Sequence, residues 1–234
     1  MMIDFHSHIL PGIDDGSRNL TETFELLHQE FIQKVSYVVA TPHFYANKQS
    51  VNRFIEKRDS SWETVQKELL NMENIPFIRL GAEVYYFPGI GKAEMVAKLC
   101  IDGTNVLLLE LPFCQWTEEV YTDVKRLLEK QKLHIIIAHI ERYYEYQKDK
   151  SVWNHVLGLP LTFQLNAGCF LNWKKKRFGL QFIKEHGPVI LGSDCHNMER
   201  RPPNLEAGRC VIEKKLGSDI LCEIDKLGER ILQI

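Results

Sequence analysis

No apolar run in this chain approaches the ~18–20 residues needed to cross a bilayer. The longest, Val106–Leu109 and Ile135–Ala138, are strand-sized, so no membrane span is expected. Charge of one sign is also missing: 29 Lys and Arg against 31 Asp and Glu leave a formal net charge of −2. That removes the electrostatic footprint of a general nucleic-acid or membrane-surface binder. Cysteine is present but unorganised. Its six copies, at 100, 114, 169, 195, 210 and 222, contain no Cys-x-x-Cys pair. Neither a zinc ribbon nor a disulfide framework is indicated, and most are expected to be reduced packing residues. The opening residues run directly into Ile3-Asp4-Phe5-His6-Ser7-His8 without a basic leader and apolar core. No signal peptide is therefore expected, and a cytoplasmic location follows as an expectation. No repeat, low-complexity tract or linker interrupts the 234 residues, which predicts one domain over 1–234.

What is present is an alternation of short apolar runs and amphipathic stretches. Strands are predicted at Ile3–Phe5, Tyr37–Ala40, Phe77–Leu80, Val106–Leu109, His134–Ala138, Thr162–Leu165 and Val189–Leu191. Helices are predicted over Thr21–Lys34, Val51–Met72, Lys92–Lys98, Glu118–Lys130, Trp153–Leu157, Leu180–His186, Leu205–Lys215 and Ser218–Leu227. The strands are too continuously apolar for a sheet with one wet face, so parallel pairing is expected. About seven βα units with short connections predict an α/β fold, a TIM-like barrel.

The strand ends carry the chemistry. Asp4-Phe5-His6-Ser7-His8, Ala40-Thr41-Pro42-His43, Leu80-Gly81-Ala82-Glu83, Leu107-Leu108-Leu109-Glu110, Ile137-Ala138-His139 and Gly192-Ser193-Asp194-Cys195-His196 each finish an apolar run with an imidazole or carboxylate. In barrels of parallel strands the C-terminal ends share one rim, where active sites gather. Residues two apart in a strand face the same side, so His6 and His8, like Asp194 and His196, can act together. Glu110 within a wholly apolar run is costly to bury unless a cation accompanies it. Sulfur is absent from these candidates, and mixed imidazole and carboxylate donors suit Mn²⁺, Fe²⁺ or Zn²⁺. Five histidines and several carboxylates exceed what one four-coordinate ion uses. A cluster of two or three cations is expected, with Glu83 as a bridge. Such a cluster acidifies a shared water and clamps the entering and leaving oxygens of an in-line displacement, which suits phosphoester hydrolysis.

These strand-end residues resemble the polymerase-and-histidinol-phosphatase (PHP) metallophosphoesterases. His6-Ser7-His8-Ile9-Leu10-Pro11-Gly12-Ile13-Asp14-Asp15-Gly16, Ala138-His139-Ile140-Glu141-Arg142-Tyr143, and Ser193-Asp194-Cys195-His196-Asn197 with Arg201-Pro202-Pro203 narrow the likeness. They resemble the manganese-dependent protein-tyrosine phosphatases of bacterial capsule and exopolysaccharide loci. The likeness runs from Met2 to about Pro203. It implies the distorted TIM-like barrel of the PHP fold, with His6, His8, Glu83 and Asp194 on a first metal. Glu83, Glu110 and His139 would hold a second, and Asp15, His43 and His196 a third. Either Asp14 or Asp15 would be the ligand there, with the other orienting the loop. Arg142 and Arg201 would receive the phosphate, the planar fork of guanidinium matching its oxygens; Arg200 competes with Arg201 for that role. Manganese is the implied ion, with iron, zinc or magnesium as substitutes. The implied substrate is the phosphorylated tyrosine-rich tail of a bacterial tyrosine kinase governing polysaccharide synthesis, attacked at phosphorus by a metal-bridging hydroxide. The oligomeric state stays open.

Blander roles are assigned elsewhere. His28, His134, His155 and His186 are read as surface or packing residues, and Lys174-Lys175-Lys176-Arg177 as a solvated helix face or loop. Tyr85 and Tyr86 either line a pocket for an aromatic ring or pack their loop. Cys195 and Arg201 have the Cys-x5-Arg spacing of thiol-based tyrosine phosphatases. The intervening residues contain no glycine, and with six cysteines and eleven arginines such a match arises by chance about one time in four. Alternation points the Cys195 side chain away from the metals, and the thiol mechanism is rejected. The competing functions are a small-molecule phosphatase of the same superfamily, such as one for histidinol phosphate, a nucleic-acid-processing module, and a scaffold whose pocket has decayed.

Overall fold

Strands apolar on both faces can only be stable when covered on both, which is achieved by parallel strands with helices packed outside. The computed structural model, which describes residues 1–70 and 72–234, follows that rule. Its strands are β1 (Ile3–Ser7), β2 (Tyr37–Ala40), β3 (His43–Phe44), β4 (Phe77–Leu80), β5 (Glu83–Tyr85), β6 (Val106–Glu110), β7 (His134–Ile137), β8 (Thr162–Asn166) and β9 (Ile190–Gly192). Every ladder between them is parallel.

The strands pair in the orders β1-β2-β4 and β3-β5-β6-β7-β8-β9. Two bends join these groups. β2 runs through Thr41-Pro42 into β3, and β4 runs through Gly81-Ala82 into β5. Proline has no N–H to give a ladder, so a break there is natural. Hydrogen bonds continue across both bends, from Gly81 N–H to Ala40 O at 2.8 Å and from Glu83 N–H to Pro42 O at 3.0 Å. At the far edge, Asp194 N–H donates to His6 O at 2.7 Å and His8 N–H to Cys195 O at 2.9 Å, which brings the end of β9 onto β1. Seven strand paths thus curl into the expected distorted TIM-like barrel, two of them kinked. The short β3 and β5, which carry His43 and Glu83, are the strands the apolar pattern did not predict.

The helices are α1 (Leu20–Ile32), α2 (Val51–Leu69), α3 (Glu118–Glu129), α4 (Ser151–Leu157), α5 (Trp173–His186), α6 (Leu205–Leu216) and α7 (Ser218–Leu232). Asn19 and Ser50 cap α1 and α2 by accepting the Glu22 and Arg53 N–H groups, which satisfies donors left open in a first turn. The helix expected over Val51–Met72 stops at Leu69; Leu70 beyond it is 86% exposed. Asn71, within that expected span, lies outside the described residues. Helix α5 begins seven residues before the expected Leu180. Its start is fixed by Asn172, whose side chain accepts the Lys174 and Lys175 N–H groups, and the first turns carry no apolar stripe to reveal them. Lys174–Arg177 lies on those turns, as the solvated-face reading expects. The helix expected near Lys92–Lys98 is two 3₁₀ turns, Ile90–Lys92 and Glu94–Leu99.

Two apolar clusters hold the layers together. Ile3, Phe5, Val39, Val106, Leu108, Ile136 and Ile190 form the inner one, closed below by Ile231 and Leu232 of α7. Their alternates, Leu107, Leu109, Ile135, Ile137, Leu165 and Leu191, pack outward with the helices. In β1 the alternation is interrupted. Asp4 pairs with Val38 but Ser7 pairs with Ala40, so β1 holds one extra residue there. Ile3 and Phe5 belong to the inner cluster, and plain alternation would send His6 and His8 outward. The bulge turns both histidines toward the strand-end rim.

Candidate active site

Nine residues predicted as ligands meet at the C-terminal strand ends around the buried carboxylate of Glu83. Its Oε2 lies 3.1 Å from His6 Nε2, 3.3 Å from His8 Nε2 and 2.8 Å from His43 Nδ1, while its Oε1 lies 2.9 Å from His139 Nε2. Glu110 Oε1 stands 3.3 Å from the same His139 nitrogen. Asp194 Oδ1 is 3.5 Å from both His6 Nε2 and His8 Nε2. Asp15 Oδ1 closes the group at 3.4 Å from His43 Nε2 and 3.6 Å from His196 Nε2. Donor atoms of His6, His8 and Asp194, of His6, Glu83 and His139, of His43, Glu83 and Glu110, and of His8, Asp15, His43 and His196 each lie within 4.8 Å of one another.

Backbone geometry contributes to this convergence. His139 and Asp194 follow β7 and β9 with φ of 30° and 54°, in the left-handed region. Such conformations cost a non-glycine residue of order 1 kcal/mol or more, and they persist where the surrounding structure holds them. At Gly192 a Cβ would stand 2.5 Å from His6 Cβ, so glycine is what lets β9 approach β1.

The adjacent aspartates divide their work. Asp14 is turned inward, its Oδ2 accepting from His8 Nδ1 at 2.7 Å and from His43 N–H at 2.9 Å, and its Oδ1 from Gly16 N–H at 2.9 Å. A Cβ at Gly16 would meet His8 O at 2.2 Å, so only glycine closes this loop on His8. Asp15 is exposed and its carboxylate faces the ligand cluster. The orienting role thus falls to Asp14.

The imidazoles are held by acceptors on their far sides. His6 Nδ1 faces Gln164 Oε1 at 3.2 Å, His8 Nδ1 faces Asp14, and His196 Nδ1 faces Asp194 O at 3.0 Å. A ring that donates through Nδ1 presents a lone pair at Nε2. His6 Nε2 and His8 Nε2 lie 3.2 Å apart, and two lone pairs at that separation repel unless a cation or proton lies between them. His139 Nδ1 is buried without a hydrogen-bond partner among the described residues, and Glu83 Oε2 and His43 Nδ1, though 2.8 Å apart, are not aligned to bond to each other or to another group there. Buried polar atoms left this way are costly. Convergent nitrogens and carboxylate oxygens therefore fit divalent cations.

The same contacts set the acid–base balance of the cluster. Burial alone would raise Glu83 and Asp194, but His6 and the surrounding imidazoles and hydrogen bonds hold both carboxyls well below the usual range. Burial opposes charge on His139, yet its bonds to Glu110 and Glu83 push it up to about 9. Burial and the neighbouring charges of His8 and Arg201 pull His196 down to about 3. Arg142 Nη2 donates to Asp194 Oδ2 and Arg201 Nη2 to Asp194 Oδ1, the latter at 2.6 Å. Both guanidiniums line a cavity of about 230 Å³ with Asn166, Lys175, Arg200 and Asp194.

Sequence reasoning missed the support on β8. Gln164 Oε1 accepts from His6 Nδ1 and from His139 N–H at 2.7 Å, and its Nε2 donates to Asn166 Oδ1 at 2.8 Å. Asn166 Nδ2 then donates to Asp194 Oδ2 at 2.8 Å. The available signal was polar Thr162, Gln164 and Asn166 at period two in a buried strand. Tyr86 proves to be a packing residue, its hydroxyl donating to Asp123 Oδ2 at 3.1 Å, whereas Tyr85 lies half-buried against Tyr45. Cys195 points away from the rim, its Sγ 3.9 Å from Glu30 Oε1. Burial and the Glu30 and Asp4 carboxyls push its thiol well up, leaving no thiolate for nucleophilic chemistry.

Comparison with known proteins supplies the family. The chain is 26% identical to the tyrosine-protein phosphatase YwqE of Bacillus subtilis (strain 168), across 99% of this chain and 92% of that protein. It is 27% identical to the tyrosine-protein phosphatase CpsB of Streptococcus agalactiae serotype III (strain NEM316), across 93% and 92%. Its fold matches a chain from the crystal structures of YwqE from Bacillus subtilis and CpsB from Streptococcus pneumoniae, described as unique metal-dependent tyrosine phosphatases. The TM-score is 0.86 at 22% identity, covering 99% of this chain and 94% of that one. Residues 2–228 match the family of capsular polysaccharide synthesis proteins CpsB/CapC, and the chain belongs to that family.

Proposed function

We propose that this protein is a metal-dependent protein-tyrosine phosphatase, acting on the phosphotyrosine tail of a bacterial tyrosine kinase that controls capsular or exopolysaccharide synthesis. The observation that carries this is the convergence of nine imidazole and carboxylate ligands beside two arginines on one rim, in a chain of the CpsB/CapC family. His6, His8, Glu83 and Asp194 would hold a first cation, Glu83, Glu110 and His139 a second, and Asp15, His43 and His196 a third, manganese being the favoured ion. When bound, these cations supply Lewis-acid neutralisation of phosphate oxygens and a lowered pKa for water.

The chain's own residues do the rest. Gln164, Asp14 and Asn166 keep the ligand side chains in their rotamers, so no reorganisation is needed as charge develops. Arg142 and Arg201, prealigned on Asp194, turn guanidinium N–H groups toward the phosphate oxygens. The leaving tyrosine needs less assistance than an alkoxide because a phenol has a pKa of about 10. A cytoplasmic location belongs to the same reading; it is supported by six cysteines free of disulfides and by the absence, among the described residues, of a helix long and apolar enough to cross a membrane.

The test is turnover of a phosphotyrosine peptide and of histidinol phosphate before and after chelation, with single divalent ions restored and elemental analysis of the purified protein. Loss on chelation, recovery with manganese and preference for the peptide are expected. A strong preference for histidinol phosphate would overturn the assignment.

A further inference from the structure

On the other flank of the ligand cluster a cavity of about 710 Å³ runs from Asp15 and His43 along the first turns of α2. Lys48, Arg53 and Lys57 line its outer wall, with Tyr45 between them and the rim. The Tyr45 ring lies 5.3 Å from the His43 ring, and Lys48 Nζ stands 4.2 Å from the Tyr45 centroid. Arg53 and Lys57 are four residues apart on one face of α2, a spacing at which like charges repel. Among the described residues, none of these three cations pairs with a carboxylate; Lys57 Nζ donates to Ile13 O at 2.8 Å. Arg58 makes the contrast. It is buried, its Nη1 donating to Gly81 O at 3.2 Å and its Nη2 lying 2.9 Å from Asp59. On the inner wall, Asp14 is already engaged by His8, His43 and Gly16. Asp15, the other carboxylate of the cavity, turns toward His43 and His196, so among the described residues the positive charge of Lys48, Arg53 and Lys57 has no carboxylate partner, beside a site for an anionic substrate.

The two cavities are close. Arg201 Nη1 is 2.8 Å from His196 Nε2, which is 3.6 Å from Asp15 Oδ1 at the edge of the basic cavity. A peptide whose phosphate meets Arg201 thus lies beside Asp15, on the edge of the cavity that Lys48 and Arg53 line. We infer that the cavity formed by Tyr45, Lys48, Arg53 and Lys57 is a specificity subsite for an anionic side chain flanking the phosphotyrosine, a carboxylate or a second phosphotyrosine. This rests on the protein-phosphatase reading above and adds the substrate class, an acidic segment.

The experiment compares kcat/KM of the manganese-loaded enzyme at 0.15 M salt on three peptides, one flanked by Asp and Glu, one by Ala and one by a second phosphotyrosine. At that ionic strength distant surface charges are screened beyond ~8 Å. A preference of roughly three- to tenfold for at least one anionic peptide over the Ala peptide is expected, the size expected of one or two exposed ion pairs. The larger ratio identifies the source of the anion. In K48E/R53E the ratio should fall to about one, while in K214E/K215E, the same charge change at exposed positions on α6, it should persist. Equal rates on all three peptides with wild-type enzyme, or an equal loss in both variants, would overturn the subsite while leaving phosphotyrosine hydrolysis intact. No turnover of any phosphotyrosine peptide by fully metallated protein would instead remove the phosphatase reading and the subsite with it.

Discussion

Asp14→Asn tests whether the hydrogen bonds behind the ligands matter as argued. The side chain of Asp14 is 5% exposed and accepts three hydrogen bonds, from His8 Nδ1, His43 N–H and Gly16 N–H. Burial would raise its pKa, but the charge and hydrogen bond of His8 hold it well below the usual carboxylate range, so it is ionised at neutral pH. Asparagine has one acceptor oxygen. If that oxygen serves His8 and His43, the amide NH₂ confronts the Gly16 N–H, and one backbone bond worth about 1 kcal/mol is lost. The His8 bond also falls from a charge-assisted one, ~1.5–3 kcal/mol, to a neutral one, ~0.5–1.5 kcal/mol. Together these amount to about 2 kcal/mol, or roughly thirtyfold. Manganese affinity, measured by competition with a chelator at pH 7, should weaken by roughly 10- to 100-fold. Wild-type affinity in a variant with unchanged near-UV circular dichroism would refute the assignment of Asp14 as the residue that orients His8.

Gln164→Leu removes the acceptor shared by His6 Nδ1 and His139 N–H. Activity should fall about 10- to 100-fold and stability by ~1–3 kcal/mol, checked by kcat/KM and urea unfolding; unchanged kinetics would show that β8 does not position the ligands. Cys195→Ala should keep phosphotyrosine turnover within about threefold because the thiol is buried and not ionised, whereas complete loss in a folded variant would revive a thiol mechanism. Burial lowers the pKa of His134 in the folded chain. The unfolded chain therefore takes up the proton first as pH falls below about 6.5, so the cost of this histidine to stability grows between that value and its lower folded value, persists in full below it and is absent above. His134→Asn should remove that component: the stability gap between wild type and variant should change from pH 7.5 to pH 5.5 in favour of the variant, and a gap independent of pH would count against it.

Much of the architecture was readable because it depends on period and position. Val106–Glu110 and His134–Ile137 are buried along their length except at the start of the latter, so their continuous apolar character identified parallel strands. β3 and β5 escaped because each is two or three residues long and carries its ligand at its first position; no window can average over so little. The imidazoles and carboxylates that meet on the rim were likewise visible, since His43, Glu83, Glu110 and His139 interrupt or end apolar runs. Whether Asp14 or Asp15 faces the cluster was not. Both sit in one loop, and their division of labour depends on Gly16 closing against His8.

By itself, then, the order of residues determined the parallel α/β class, the number of strand paths and the side chains available to a metal centre, because hydrophobic burial and the two-residue period of a strand act locally. The register was decided only in the folded chain. The extra residue in β1 turns His6 and His8 toward the rim against simple alternation. The left-handed His139 and Asp194 aim their donors at Glu83 and His6, and Gln164 joins two strands' ligands through one oxygen. Each of these rests on contacts between segments far apart in the chain, whose energies no local pattern contains.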